Sequence, residues 1–209
     1  MKQLAKLFDK PKIIGVCADV NQGKSMLLYN MIKDLREVGE FKLYQYGLRS
    51  KIKGKQLKSV KELEKVKNSI IICDEFFSLF DLDNRKARRS IENTLRLINH
   101  KNNILVLVGV GENFKKFIGN KLDVVIYKQI TFGDLINGGR VKNILMDYKG
   151  EERGSELLNL EKGQALIYDG NHYDVIDVPY LKEYDTKIEN QEIFKCAKSV
   201  PKKVEITAQ

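Results

Sequence analysis

Residues 12–17, 69–75 and 103–109 are apolar runs rich in Ile, Val and Leu, without apolar–polar alternation. Such runs predict strands buried on both faces, as in the middle of a parallel sheet. Residues 123–127 predict another strand. Residues 41–46 alternate well enough for the second strand in chain order. Between the runs the apolar spacing becomes helical. Met26, Leu27, Met31, Ile32 and Leu35 share one face of a helix over 24–38, which Gly39 ends. Ile91, Leu95 and Ile98 form the stripe of a helix over 84–100, with Asp83 or Asn84 as its N-cap. Residues 60–66 predict a short helix and 114–118 a helix-like piece. Residues 47–58, basic and broken by glycine, predict a loop. Residues 1–11 predict a short helix or arm stopped by Pro11. Strands alternating with helices make this an α/β chain.

After Lys128 the pattern changes. Residues 131–136, 140–147, 164–168 and 173–178 predict short strands, with hairpin turns at 137–139 and 169–171. The expected organisation is an arm over 1–11, a core over 12–128, a β-hairpin-rich extension of the same domain over 129–180, and a polar tail over 181–209.

The first strand runs into Ala18-Asp19-Val20-Asn21-Gln22-Gly23-Lys24-Ser25, and a helix follows at once. Strand, small-residue turn, Gly-Lys-Ser and helix make the layout of a P-loop. Backbone N–H groups of residues 20–25 can wrap a polyphosphate, and the helix N-terminus adds positive potential. Gly23 permits close approach of the main chain. Lys24 is placed to reach the β- and γ-phosphates, and Ser25 to hold Mg²⁺. Ala18 stands where the first glycine of the usual motif would be. Downstream, the strand over 69–75 ends in Asp74-Glu75, the pattern of a Walker B element. Asp74 would bind Mg²⁺ through water or through Ser25, and Glu75 would act as general base on water.

Composition adds less. The 209 residues suffice for one sizeable domain, and Lys+Arg exceeds Asp+Glu by 37 to 28, a net charge of +9. That balance suits a polyanionic partner or an ordinary lysine-rich surface. Three cysteines, Cys17, Cys73 and Cys196, with no C-x-x-C spacing, argue for a reducing compartment and against a disulfide framework. His100 and His172 share no ligand spacing with them, so a zinc site is not expected. There is no signal-peptide pattern and no apolar run of membrane-spanning length.

Arg85, Lys86, Arg88 and Arg89 cluster in the first turns of the second long helix, where cations oppose the helix dipole. They face nucleic acid, reach a neighbouring subunit's nucleotide, or form a solvated basic face. Gly111-Glu112-Asn113 follows the strand over 103–109, at the end where open parallel sheets place ligands. Asn113 or Glu112 is a candidate contact for a γ-phosphate or its water, with a plain turn as the other reading.

These motifs resemble those of the additional-strand catalytic-glutamate P-loop ATPases, and within them the FtsK–HerA superfamily. The resemblance is to small genome-packaging ATPases of internal-membrane viruses and to Zot-like ATPases of filamentous phages. Residues 18–25, residues 70–75, the run from Asn84 to Lys101, and Tyr184-Asp185-Thr186-Lys187 carry it. It spans roughly residues 10–187. It implies a P-loop NTPase three-layer sandwich, α/β, with a mostly parallel central sheet, the sensor strand between the P-loop and Walker B strands, and a β-rich C-terminal extension. It implies an ATPase using ATP and Mg²⁺, with Glu75, Lys24 and Asn113 catalytic, residues Ala18, Asp19, Val20, Asn21, Gln22, Gly23, Lys24, Ser25 and Met26 on nucleotide, and Ser25 and Asp74 on metal. It further implies a ring, hexameric or pentameric, moving double-stranded DNA, in the host cytoplasm or on the virion, with a viral capsid or membrane vertex as a further partner. The trans arginine finger is open among Arg88, Arg89, Arg140 and Arg153. The arginine usual on the helix after the sensor strand is replaced by Lys115, Lys116 or Lys121. Arg49, Lys51, Lys53, Lys55, Arg85 and Lys86 are candidate DNA contacts. Two other readings stand beside the motor: a nucleoside or small-molecule kinase, and a Zot-like assembly or secretion protein that binds nucleotide with little turnover.

Overall fold

The computed structural model describes residues 4–18, 23–47, 54–74, 85–109, 121–128, 160–170 and 172–182. Four strands, β1 (Lys12–Cys17), β4 (Ile70–Cys73), β5 (Ile104–Gly109) and β6 (Val124–Tyr127), are buried along their whole length. Their lack of alternation has this cause: both faces are covered. With β2 (Leu43–Tyr46), β3 (Lys55–Gln56), β7 (Gln164–Tyr168) and β8 (Tyr173–Asp177) they form one sheet in the order β3-β2-β4-β5-β1-β6-β7-β8. Pairing is parallel from β3 to β6 and antiparallel from β6 to β8.

The side-chain period of two divides each central strand between two cores. Ile14 and Val16 of β1, Ile72 of β4 and Val106 of β5 point to the face covered by α1 (Lys24–Val38), which contributes Leu27, Leu28, Met31, Ile32 and Leu35. Ile13, Ile71, Leu105 and Leu107 point to the opposite face, packed by Leu63 of α2 (Val60–Leu63) and by Ile91, Leu95 and Ile98 of α3 (Arg85–His100). The result is a helix–sheet–helix sandwich. Each fully buried Leu or Ile contributes about 1.5–3 kcal/mol relative to exposure. α1 ends at Gly39, whose N–H donates to Leu35 O at 3.1 Å.

The edge of the sheet holding the strand N-termini is tied by asparagines. Asn103 is fully buried; its Oδ1 accepts from Ser69 N at 3.1 Å and its Nδ2 donates to Val66 O at 2.9 Å. Across the molecule, Asn30 of α1 donates to Met26 O and to Pro179 O, at 2.9 and 2.8 Å, anchoring the segment after β8. The β7–β8 hairpin turns at Gly170, whose φ of 100° favours glycine. Asp169 N donates to His172 O, and Asp169 Oδ1 accepts from His172 N.

Several boundaries differ from the sequence reading. β2 begins at Leu43 rather than residue 41. The expected loop over 47–58 contains β3: Lys55 and Gln56 pair in parallel with β2, and Leu57 N donates to Gln45 O at 2.7 Å. Both β3 side chains are exposed, so no apolar period marked it; buried Leu57 follows it. α2 stops at Leu63, before Val66. The N-terminal piece is a 3-10 helix over Leu4–Phe8. The elements expected at 114–118, 131–136, 137–139 and 140–147, the polar tail beyond Lys182 and the motif at 184–187 lie outside the described residues.

Candidate functional site

The C-terminal tips of β4, β5, β1 and β6 lie side by side. Cys17 is level with Gly109 on one flank and with Tyr127 on the other, and Cys73 is level with Leu107. This edge is where an open parallel sheet leaves a crevice, because the connections diverge to opposite faces. β1 ends there with Ala18, which is buried and donates its N–H to Gly109 O at 3.4 Å. Gly23 caps α1 in the left-handed region, φ 81° and ψ 27°, and Leu27 N donates to Gly23 O at 3.1 Å. Among the described residues no side chain caps the helix, and its first turn carries no acid. Its leading N–H groups therefore keep their positive potential for an anion. Lys24 folds back over the turn, its Nζ donating to Ala18 O at 3.4 Å. This donor set fits a polyphosphate: a cation, a left-handed glycine and an uncapped helix start.

Ser25 is half-buried in the first turn of α1. Met26 has its Sδ 3.1 Å from the N–H of Leu181, which it accepts, so only its backbone is available at the turn. Asp74 follows β4 at the same edge, half-buried, its N–H donating to Tyr46 O at 2.9 Å. The hydroxyl of Ser25 and the carboxylate of Asp74 are hard oxygen donors of the kind Mg²⁺ takes. Burial and then the Asp74 carboxylate push the Cys73 thiol well above its usual range, which keeps it neutral.

One residue at this edge has to be glycine. Gly47, just after β2, has φ 75°, and a Cβ there would stand 2.4 Å from Asp74 O. Lys128, just after β6, is buried against the same turn. Neither was singled out from sequence: each has its partner 27 or more positions away, and only strand adjacency reveals it.

The remaining candidates divide. Asp19, Val20, Asn21, Gln22, Arg49, Lys51, Lys53, Glu75, Glu112, Asn113, Lys115, Lys116, Arg140 and Arg153 lie outside the described residues. Arg85, Lys86, Arg88 and Arg89 occupy the start of α3, and Arg89 is exposed. The far end of α3 meets the opposite edge, where Lys101 O accepts from Asn68 N, so the basic start of the helix is turned toward the Lys24 edge. Lys55 is exposed on the outermost parallel strand, 6.0 Å from the centre of the Tyr44 ring. Lys121 precedes β6 at the edge away from the turn and pairs with Glu92 of α3 at 3.0 Å. Among the described residues there is no cluster of metal-binding His, Cys, Asp and Glu, and no helix long and apolar enough to cross a membrane.

No protein-family model matches the sequence, and no curated protein matches it. Solved structures do match in fold. The DNA-packaging ATPase B204 of Sulfolobus turreted icosahedral virus is 16% identical, with a TM-score of 0.59 over 81% of this chain and 99% of that one. The pCW3 conjugation coupling protein TcpA, solved with ATPγS, is 18% identical with a TM-score of 0.54, over 90% of this chain and 65% of that one. The N-terminal domain of the zonular occludens toxin of Neisseria meningitidis is 9% identical with a TM-score of 0.50, over 81% of this chain and 95% of that one. These likenesses are of fold: an α/β sandwich on a mostly parallel sheet.

Proposed function

We propose that this chain hydrolyses ATP with Mg²⁺ and couples hydrolysis to movement of double-stranded DNA, within a ring of its own copies, to package a viral genome. The observation that carries the reading is the strand order. β5 lies between β1 and β4, so two strand spacings, roughly 10 Å, separate the Lys24 turn from the tip that bears Asp74, which Glu75 follows in sequence. That gap leaves room for a γ-phosphate and the water that attacks it. Lys24 and the leading N–H groups of α1 neutralise the phosphate oxygens. Ser25 and Asp74 would hold Mg²⁺, which would supply charge neutralisation. Glu75 takes the proton of the water. Asn113 contacts the γ-phosphate or its water.

The genome-packaging NTPase B204 of Sulfolobus turreted icosahedral virus 2 has been solved with ATPγS and with AMPPCP, and this chain spans nearly all of it. That supports nucleotide binding by this fold. The net charge of +9 and the basic start of α3 support a polyanionic partner. An arginine supplied by a neighbour, from Arg88, Arg89, Arg140 or Arg153, completes the site. This requires assembly.

The test is the ATPase rate against protein concentration, with and without duplex DNA. A rate that rises more than linearly and is stimulated by DNA at low salt is expected, and added salt should abolish the stimulation. Phosphate transfer to a nucleoside would replace the motor with a kinase. Tight nucleotide binding without turnover under any of these conditions would replace it with an assembly protein.

A further inference from the structure

Lys128 is one of the most deeply buried side chains, at 1% exposure. Its N–H donates to Cys17 O at 3.0 Å, which sets it beside the last residue of β1. Its Cε lies 3.7 Å from where a Cβ on Gly23 would stand. The lysine stem therefore runs behind the pivot of the Lys24 turn. Its Nζ donates to two carbonyls ahead of and within β7, Lys162 O at 2.8 Å and Gln164 O at 2.6 Å. Among the described residues no carboxylate is paired with it. Burial, and secondarily the Lys162 ammonium, push its pKa down to about 8. A buried cation held only by neutral acceptors costs stability that an apolar side chain of equal length would not. An anion arriving at the turn would offset that cost.

We infer that Lys128 is a second cation of the nucleotide site, a positioning residue that strengthens polyphosphate binding from behind Gly23. The inference rests on the reading of the Lys24 turn as phosphate-binding. The two carbonyls hold Nζ in place, so Lys128 acts as a fixed background charge added to Lys24 and to the start of α1. Burial of its side chain weakens solvent screening of that charge. The charged residues flanking its contacts are Lys24 beside Gly23, and Glu161 and Lys162 ahead of β7.

Lys128→Met retains the stem and removes the charge. Binding of inorganic tripolyphosphate to the full chain, measured by calorimetry at pH 7, should weaken roughly five- to tenfold. The ligand-free melting temperature should change little, because relief from burying a charge offsets the donor lost to Lys162 O and Gln164 O. A lowered melting temperature with unchanged affinity would make Lys128 a structural residue and overturn the inference. A pH series from 7 to 9.5 supplies a second arm. Wild-type affinity should fall through about pH 8 as Lys128 loses its proton. Ligand-free stability should rise over the same window relative to Lys128→Met, because the unfolded lysine still holds its proton there. The wild-type affinity profile carries this arm by itself if the variant does not fold. Parallel profiles and equal affinities in the two proteins overturn only this inference. Failure of the wild type to bind tripolyphosphate overturns the nucleotide reading, and this inference with it.

Discussion

Replacing Gly47 with alanine tests the site through a residue that touches no ligand. Its φ of 75° lies in the left-handed region, which costs an alanine about 1–2 kcal/mol. The new Cβ would stand 2.4 Å from Asp74 O, whereas real Cβ contacts essentially never fall below 3.0 Å. The tips of β2 and β4 must therefore part by at least about 0.6 Å. That parting strains the Asp74 N–H bond to Tyr46 O, worth about 0.5–1.5 kcal/mol. The sum, about 1.5–3.5 kcal/mol, corresponds to a melting temperature lower by roughly 3–14 °C in a domain of this size. Asp74 moves with its carbonyl, and misplacement by about 1 Å can cost a reaction roughly a hundredfold. Gly39→Ala is the control. Its φ of 168° is extended, nothing lies within 4 Å of its Cβ, and its stability should stay within about 0.5 kcal/mol of wild type. The assays are thermal unfolding and ATP affinity with and without Mg²⁺. Gly47→Ala should lose stability together with most of the gain that Mg²⁺ gives. Wild-type melting would refute the packing of the two tips. Lost stability with the Mg²⁺ gain intact would remove Asp74 from the metal.

Four further outcomes are expected. Lys24→Ala should abolish measurable ATP binding in calorimetry while leaving the melting temperature unchanged, since among the described residues its side chain makes a single long bond, to Ala18 O. Glu75→Gln should bind ATP normally and lose turnover by a hundredfold or more in a phosphate-release assay, the upper range for a general base being about 10⁴. Asn103→Ala should destabilise by about 2–4 kcal/mol in urea unfolding, because Ser69 N–H and Val66 O both lose a buried partner. In a Cys196→Ser background the native protein should resist thiol reagents at pH 8, with Cys17 and Cys73 reacting only on unfolding, because both are buried and the Cys73 thiol is held neutral.

How much of this was legible in sequence depends on how far away each residue's partners lie. The β1, β4, β5 and β6 runs were readable because burial on both faces leaves no polar residue in them except Lys12 at the start of β1. α1 and α3 were readable because one face of each meets the sheet. Ala18, Gly23, Lys24 and Ser25 were readable for a related reason: the turn closes on itself within eight residues, so spacing along the chain is nearly spacing in space. β3 was not, because its contribution is backbone hydrogen bonding to β2 and its side chains face solvent. Lys128 resembled a polar residue marking the end of a strand. Its burial comes from carbonyls 34 and 36 positions on, brought up by antiparallel pairing of β7 with β6. Gly47 resembled an ordinary loop glycine until β4 was placed beside β2. Both residues thus depend on strand neighbours that no local pattern encodes. A motif search will find the turn in any chain that carries it, but what tunes the turn is chosen by the sheet, and strand order is where two chains with the same turn will differ.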